Sequence, residues 1–562
     1  MEKQLQQLLT DAFGREFSEK VEFAAVPKGQ SGDLALKFFL LTKEKQQSPV
    51  QIAQTVQPVL ETSGLIEKTE IAGPYLNVHF AKKPFFEAVL NAPLHGQTLT
   101  DKNIVIEFSG PNTNKPLHLG HMRNHALGLA TSNILEAAGA KVSRVNIIND
   151  RGVHICKSML AYKKFGHGET PESVGKKGDH FVGDYYVKFD QEAKKNESLN
   201  QEVQSMLLDW ENDDAETKAL WQKMNDWTLQ GHQETYERQG IHFDKAYKES
   251  DYYLEGKNIA QKGLEQGVFF AREDGAVMVD LESEGLDQKV VLRADGTSIY
   301  LTQDLAVAVA RKEDFHPDEL IYVVADEQNY HFKVLFYCLE KLGLIDYHLC
   351  HHLGYGLVNL PNGRMKSREG TVVDADNLMD SLKTLAIENI KKRNEEISDT
   401  EAAQLAEKIQ DAAWKFYLLS TAPKKSITFD AEKSIQFEGA TGPYLQYAGV
   451  RLKSIFRKAK FTPTTTQDID TSVLGEDEKA LGAKILWFEN TIDRAAETKN
   501  PTYLLTYLLE LAQLWSSYYG NNSVVNADTE TLKQARLTLA YKVFTVLEQG
   551  LKLLGIQIPD KM

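Results

Sequence analysis

Two hydrophobic patterns share this chain, one with the period of a strand and one with the period of a helix. Residues 1–95 mix both. MEKQLQQLLTDAF is a polar amphipathic helix, VEFAAV and LNVHF are short strand-like pieces, and Pro49–Thr62 is helical in period. Pro93–Asp101 reads as a linker. The strand-like run IVIEF (104–108) then predicts a buried strand. Met122–Ala138 predicts a helix ended near Gly139, and Val142–Ile148 a second strand. Strand, helix, strand is a β-α-β unit and demands a parallel sheet. From 156 to 250 the pattern turns to charged helix, as an insertion would. Strand patterns return at AVMVDL, KVVLR and LIYVVA, with helical segments at Thr302–Arg311 and Phe332–Leu342. From Asn377 onward the period is almost purely helical. Helix candidates there are Glu401–Leu419, Pro443–Ala459, Glu476–Asn490, Tyr503–Tyr519 and Thr529–Leu554. The expectation is an α/β protein. A small α+β unit (1–98) precedes a Rossmann-type parallel-sheet domain (99–376, with a helical insertion at 156–250) and an all-α bundle (377–562).

At 562 residues, several domains are the natural expectation. No run of about 18 apolar residues offers a membrane span, and the polar N-terminal helix is no signal peptide. Cys156, Cys338 and Cys350 are scattered with no Cys-x-x-Cys. Structural zinc and a disulfide framework are therefore not expected, and a reducing cytoplasm fits. The net charge of −15 argues against a generic nucleic-acid coat. It leaves room for local basic patches, such as Lys424-Lys425 and the run Arg451, Lys453, Arg457, Lys458 and Lys460. By charge alone, each reads as a solvated helix face.

The chemistry concentrates in SGPNTNKPLHLGH, after the first buried strand. His118 and His121 lie three apart, on one face of a helix start. Free N–H groups and a positive dipole end make such a start a phosphate site. Gly120 between them lets a flat base approach the backbone. Alone, His-x-x-His is as often a surface pair or half a metal site. A second landmark is Gly363-Arg364-Met365-Lys366-Ser367-Arg368-Glu369-Gly370, a basic loop bracketed by glycines, suited to closing over a triphosphate. Taken alone, it reads as an ordinary basic surface loop.

Together the two landmarks resemble the paired HIGH and KMSKS motifs of class I aminoacyl-tRNA synthetases. SGPNTNKPLHLGHMRN (109–124), SIYLTQDLAVA (298–308), IYVVADEQNYH (321–331), TGPYLQYAGVRLKSIFRKA (441–459) and LLGIQIPDKM resemble the arginyl-tRNA synthetases in particular. The match runs from 104 to the C-terminus and is weak only in the N-terminal unit. It implies an enzyme joining L-arginine to tRNA(Arg) at the expense of ATP, with Mg²⁺ assisting.

By the same resemblance, His118, His121, Lys115 and Lys366 are catalytic. Gly120, Arg364, Met365, Ser367 and Arg368 hold ATP, and Glu107, Asn112, Tyr300, Asp304 and Gln328 hold arginine. A guanidinium suits this set, because carboxylates can grip it as a planar fork. Tyr444, Tyr447, Arg451, Trp515, Tyr518 and Tyr519 are the candidates for stacking on anticodon bases. Half of these aromatics should instead be helix–helix core. The N-terminal unit would touch the tRNA elbow, tRNA would be needed for the first step, and the enzyme would act as a cytoplasmic monomer.

The chain departs from the family at two places. The fourth position of the second motif is Ser367, with Lys366 one place earlier; by the resemblance, arginyl enzymes lacking that lysine use the one before the first motif, here Lys115, with Lys366 assisting. In Asn149-Asp150-Arg151-Gly152, Arg151 stands where many relatives carry an aromatic. Three rivals have less support. A synthetase for glutamine, glutamate or cysteine does not suit the acidic pair, and the cysteinyl enzyme's zinc set is absent. A small-metabolite nucleotidyltransferase has no use for the helical C-terminal part. A non-catalytic RNA-binding relative would not need both motifs.

Overall fold

The computed structural model describes residues 1–24, 26–27, 29–361, 373–463 and 469–562. Gly363–Gly370, and with it Arg364, Met365, Lys366, Ser367 and Arg368, lies outside the described residues. In the N-terminal unit, β1 (Glu22–Ala24), β2 (Leu34–Lys37), β3 (Ile66–Ala72) and β4 (Tyr75–Phe80) form an antiparallel sheet in the order β1-β2-β4-β3. The helix Pro49–Glu61 packs on β3 and β4. Its start is fixed by a capping box. Ser48 Oγ accepts from the Gln51 N–H (3.3 Å) and Gln51 Oε1 accepts from the Ser48 N–H (2.8 Å).

The central sheet is parallel throughout. Its strands are β5 (Asn103–Glu107), β6 (Lys141–Ile148), β7 (Lys245–Lys248) and, after three short strands elsewhere, β11 (Glu319–Ala325) and β12 (Cys350–Tyr355). They lie in the order β12-β11-β5-β6-β7. β5 is central and buried from Ile104 to Glu107, which is why Ile104, Val105 and Ile106 are all apolar. The strand order reverses between β5 and β11, opening a crevice at their carboxyl ends. The helix Leu119–Ala137 crosses behind it and is buried on nearly every face. Its Gly128 is required by packing, since a Cβ there would lie 2.3 Å from Phe108 Cγ. Fully burying Met122, Leu127 and Ile134 contributes roughly 1.5–3 kcal/mol each.

The structure corrects three expectations. The helical insertion runs from Val153 to Gln239, and within 156–250 the segment Lys245–Lys248 is instead the edge strand β7. Its sequence, KAYK, buries only Tyr247, so an edge strand passed for charged helix. AVMVDL and KVVLR do not join the parallel sheet. They supply β9 (Val277–Val279) and β10 (Lys289–Leu292), which with β8 (Phe269–Ala271) form a separate antiparallel sheet. Glu476–Asn490 is two helices, Glu476–Leu486 and Phe488–Glu497, broken at Trp487.

The C-terminal helices include Ala375–Arg393, Asp399–Leu419, Gly442–Ala459, Thr502–Asn521 and Glu530–Leu553. Their core is continuous with that of the N-terminal unit and of one face of the parallel sheet. Specific polar contacts fix the three parts pairwise. Lys479 of the bundle pairs with Asp33 (2.8 Å), and Lys542 Nζ donates to the Ala92 carbonyl (2.5 Å). Arg123, fully buried, donates to the carbonyls of Pro423 (3.0 Å) and Lys425 (2.6 Å). Linker amides at Gly96 and Leu99 bond to the end of the Leu119–Ala137 helix, at Ala137 and Ala138.

Candidate active site

The crevice at the ends of β5 and β11 is a cavity of about 780 Å³. His118, Gly120, His121, Glu107, Asn112, Tyr300, Asp304 and Gln328 all line it. Residues spread over more than 200 positions of sequence thus face one space. The parallel topology delivers them. Glu107 ends β5, the His pair opens the next helix, Tyr300 and Asp304 open the helix Tyr300–Phe315, and Gln328 follows β11.

The turn after β5 is strained and heavily braced. Ser109 has φ 85°, a left-handed conformation rare outside glycine, and Gly110 follows at 60°. The Asn124 side chain accepts from the Ser109 N–H (2.6 Å) and donates to the Val323 carbonyl (2.6 Å), tying β5 to β11. His125 Nε2 and the Tyr236 hydroxyl both hold Ser109 Oγ, at 2.8 and 2.7 Å. Asn124 and His125 went unremarked in the sequence. Their spacing from His121 on a buried helix was the signal available.

His118 and His121 are themselves the caps of their helix. His118 Nδ1 accepts from the Gly120 N–H (3.1 Å), and His121 Nδ1 accepts from the His118 N–H (3.1 Å). With Nδ1 an acceptor in both neutral rings, the proton of each sits on Nε2, the atom left free to donate. Burial, aided by Lys115 and His125, pushes His118 down to about 3. Burial, aided by His118 and His125, holds His121 well below the usual histidine range. Both rings are therefore neutral donors at pH 7. Gly120 has a steric reason beyond base access: a Cβ there would lie 2.9 Å from His118 Cε1.

The acidic end of the cavity is more crowded than the sequence suggested. Glu107 is engaged by Arg311, a fully buried guanidinium packed against Tyr247 and Tyr322. Burial raises the Glu107 pKa, Arg311 opposes that, and Asp304 adds to it. One Glu107 oxygen has no other protein bond among the described residues, so Glu107 forms the inner wall. Asp304 bonds His331 Nε2 at 2.6 Å. Burial disfavours the charged ring, yet that bond leaves the His331 pKa raised. Glu327, which also lines the cavity, was missed, and so was Glu249, which does not line it but feels the charge of Asp304. Glu249 is buried at the start of the helix Glu249–Glu265, and burial together with Asp304 and Asp150 pushes it up to about 9. Nothing local in the sequence marked it, because its neighbours are 50 residues away or more.

Lys115 does not line the large cavity. It faces a separate crevice of about 250 Å³ on the other side of His118, with Asp374 and His180. Lys115 is half-buried, has no ion-pair or hydrogen-bond partner for its Nζ among the described residues, and has its pKa lowered by burial. The segment that begins at Val373 is pinned to the motif through the Leu119 N–H to Val373 carbonyl and Ala375 N–H to Leu117 carbonyl bonds, each 3.0 Å. Asp179, His180 and Asp376 have the spacing of metal ligands, but Lys177 already bonds Asp376 at 2.6 Å.

In the bundle, the expected stacking set divides. Trp515 and Tyr518 are 2% and 5% exposed and belong to the core, where the Tyr518 hydroxyl donates to Glu478 (2.7 Å). Their helix turns them inward, so neither can stack on a base. Tyr447 is 39% exposed, Arg451 is exposed, and the Arg451 guanidinium lies 5.1 Å from the Tyr519 ring centre. Tyr444, Tyr447 and Arg451 fall on one helix face. Lys453 and Arg457 of the basic run are tied to Asp560.

A parallel sheet with a nucleotide-type crevice, and His-x-Gly-His as a helix cap beside it, define the catalytic domain of a class I aminoacyl-tRNA synthetase. Residues 87–430 match the family described as tRNA synthetases class I (R), catalytic domain. Residues 445–562 match the DALR anticodon binding domain and 1–80 the arginyl tRNA synthetase N terminal domain. The chain is 45% identical to the arginine–tRNA ligase of Treponema denticola over 97% of this chain and 95% of that protein. It is 41% identical to that of Bacteroides thetaiotaomicron over 98% and 97%. The solved Thermus thermophilus arginyl-tRNA synthetase superposes with a TM-score of 0.84 at 27% identity, covering 100% of this chain and 99% of that one. The chain belongs to the arginyl-tRNA synthetase family.

Proposed function

We propose that the 780 Å³ cavity is where this chain activates L-arginine with ATP before transferring it to tRNA(Arg). The observation that carries this is the meeting of two histidines, each with a free Nε2–H, and a set of carboxylates in one crevice. Asp304 and the free side of Glu107 receive the guanidinium, Tyr300 covers the alkyl stem, and Asn112 and Gln328 hold the backbone amino and carboxylate groups. The arginine carboxylate attacks the α-phosphorus of ATP. An acyl–phosphate bond forms, the bond to the β-phosphate oxygen breaks, and pyrophosphate leaves. His118 and His121 donate from Nε2 to phosphate oxygens as charge builds there. No covalent enzyme intermediate is needed, so the protein's contribution is position and charge. The terminal ribose hydroxyl of the tRNA then attacks the carbonyl carbon, and AMP leaves.

Mg²⁺ would enter as the counter-ion of ATP. Glu107 and Asp304 are given to the guanidinium in this reading, so the ion would be held by the phosphates of ATP. Lys115, without a partner for its Nζ among the described residues and sharing the neighbouring crevice with His118, is the charge that would turn toward the departing pyrophosphate, with Lys366, Arg364 and Arg368 assisting and Met365 and Ser367 completing the ATP loop. Tyr444, Tyr447, Arg451 and Tyr519 form the anticodon face, the N-terminal unit meets the tRNA elbow, and the setting is cytoplasmic.

The test is ATP–pyrophosphate exchange with each of the twenty amino acids, with and without tRNA. Exchange with arginine alone, and only with tRNA present, is the expected result. Exchange with another amino acid would overturn the pocket assignment. Exchange with arginine but without tRNA would overturn the tRNA requirement. Within that assay, Lys115→Ala should abolish exchange. If Lys115→Ala is active and Lys366→Ala is dead, the phosphate charge has been misplaced.

A further inference from the structure

Arg151 follows β6 and is 6% exposed, yet no step above uses it. Its guanidinium lies 4.3 Å from the Tyr253 ring centre and 5.2 Å from that of Trp210. It donates to Glu211 Oε1 (2.5 Å), the last residue of the insertion helix Ser198–Glu211. It also donates to Ser298 Oγ (3.0 Å), two residues before Tyr300. With its amide turned to satisfy both neighbours, Gln303 accepts from Arg151 Nη1 (3.1 Å) and donates to Glu249 Oε1 (2.8 Å). Gln303 directly precedes Asp304. One planar fork thus holds the end of an insertion helix and two points of the helix start that carries Tyr300 and Asp304, Ser298 before it and Gln303 within it.

We propose that Arg151 is a positioning residue for arginine, setting where Tyr300 and Asp304 stand and passing the position of the helical insertion to them through Glu211. The inference rests on the reading of Tyr300 and Asp304 as the arginine pocket. His118, Gly120 and His121 share no bond with Arg151, Glu211, Ser298 or Gln303. The effect is therefore confined to arginine and does not reach ATP. The fork is essential, because an ammonium offers a point charge and cannot hold three acceptors in one plane.

The experiment uses the full chain with tRNA in the exchange assay, and measures kcat, KM for arginine, KM for ATP and Tm. Arg151→Met should lower kcat/KM for arginine by roughly 10–100-fold, chiefly through a raised KM, since a misplacement near 1 Å far from the chemistry costs up to about that much. The ATP KM should stay within about two-fold, a change too small to mark a displaced group. Arg151→Lys should keep Tm near wild type while the arginine KM stays raised. Glu211→Gln, on the insertion, should raise the arginine KM in the same direction by less. A purely structural brace would instead lower Tm and the active fraction in Arg151→Met, with both KM values unchanged and full rescue by Lys. That result, or a parallel rise in the ATP KM, overturns the proposal. If Arg151→Met does not fold, the Lys and Glu211→Gln variants still decide it. Asp304→Asn separates the two levels. If it leaves the arginine KM unchanged, the pocket reading fails. If it raises that KM and the Arg151 variants do not, only the present inference fails.

Discussion

Adding one methyl group at Gly120 should cost activity without costing stability. The Cβ of Gly120→Ala would stand 2.9 Å from His118 Cε1 and 3.0 Å from Nδ1. Relaxed carbon–carbon contact begins near 3.5 Å, so the ring must move by about 0.6 Å or more. That movement stretches the bond from the Gly120 N–H to His118 Nδ1, now 3.1 Å, and re-aims Nε2. Alanine is meanwhile the better helix former by up to about 1 kcal/mol, and position 120 lies in the first turn of a helix. The weakened His118 cap, worth about 0.5–2 kcal/mol, opposes that gain, so the fold should melt close to the wild-type temperature. A mis-aimed donor at a charge-developing centre costs up to about 10²–10³ in rate, or roughly 2.7–4 kcal/mol. ATP–pyrophosphate exchange with arginine and tRNA, run beside a thermal melt, reads both quantities. Exchange within about three-fold of wild type, well short of that loss, would show that His118 need not point where its cap holds it.

Three other perturbations probe separate parts of the site. Asp304→Asn should raise the arginine KM by roughly 30–150-fold, about 2–3 kcal/mol, less than for a fully buried pair because Asp304 is a quarter exposed. An unchanged KM would remove Asp304 from the pocket. Glu249 has a folded pKa of about 9 against 4.5 unfolded, so its proton favours the fold at low pH, a contribution lost as pH rises through about 9. Tm of Glu249→Gln should thus gain on wild type from pH 6 to pH 9, and a gap constant with pH would refute the assignment. Tyr447→Ala should weaken tRNA binding by about 1–3 kcal/mol for one lost stacking contact, with Tm unchanged. Trp515→Ala should do the reverse and lower Tm, since its ring is core. Equal tRNA affinity in Tyr447→Ala and wild type would move the anticodon face elsewhere.

The sheet and the His pair were legible because their signals are local. A central parallel strand must be apolar on both faces, and β5 is. A helix start must be capped, and the residues that cap it are the motif itself. What escaped was held by partners far away in sequence. Arg311 reaches Glu107 across 204 positions, and Gln303 reaches Glu249 across 54, so no window of sequence contains either pair. β7 escaped for a different reason. An edge strand of four residues with one buried side chain has no period to read. Trp515 and Tyr518 show the limit for aromatics, because composition does not say which way a helix is rolled.

The pairwise contacts among the three parts have a mechanical meaning. The N-terminal unit meets the bundle through Lys479–Asp33. The bundle meets the sheet domain through Arg123, and the linker is stitched to that domain at Gly96 and Leu99. The N-terminal unit is thus braced against the bundle as well as tied to the sheet domain through its linker. The span from the N-terminal sheet to the Tyr447–Arg451 face is then set by packed contacts rather than by the reach of a tether. A ligand that touches both ends is measured against that length, and one that is too short or too bent forfeits a contact instead of stretching the protein to meet it.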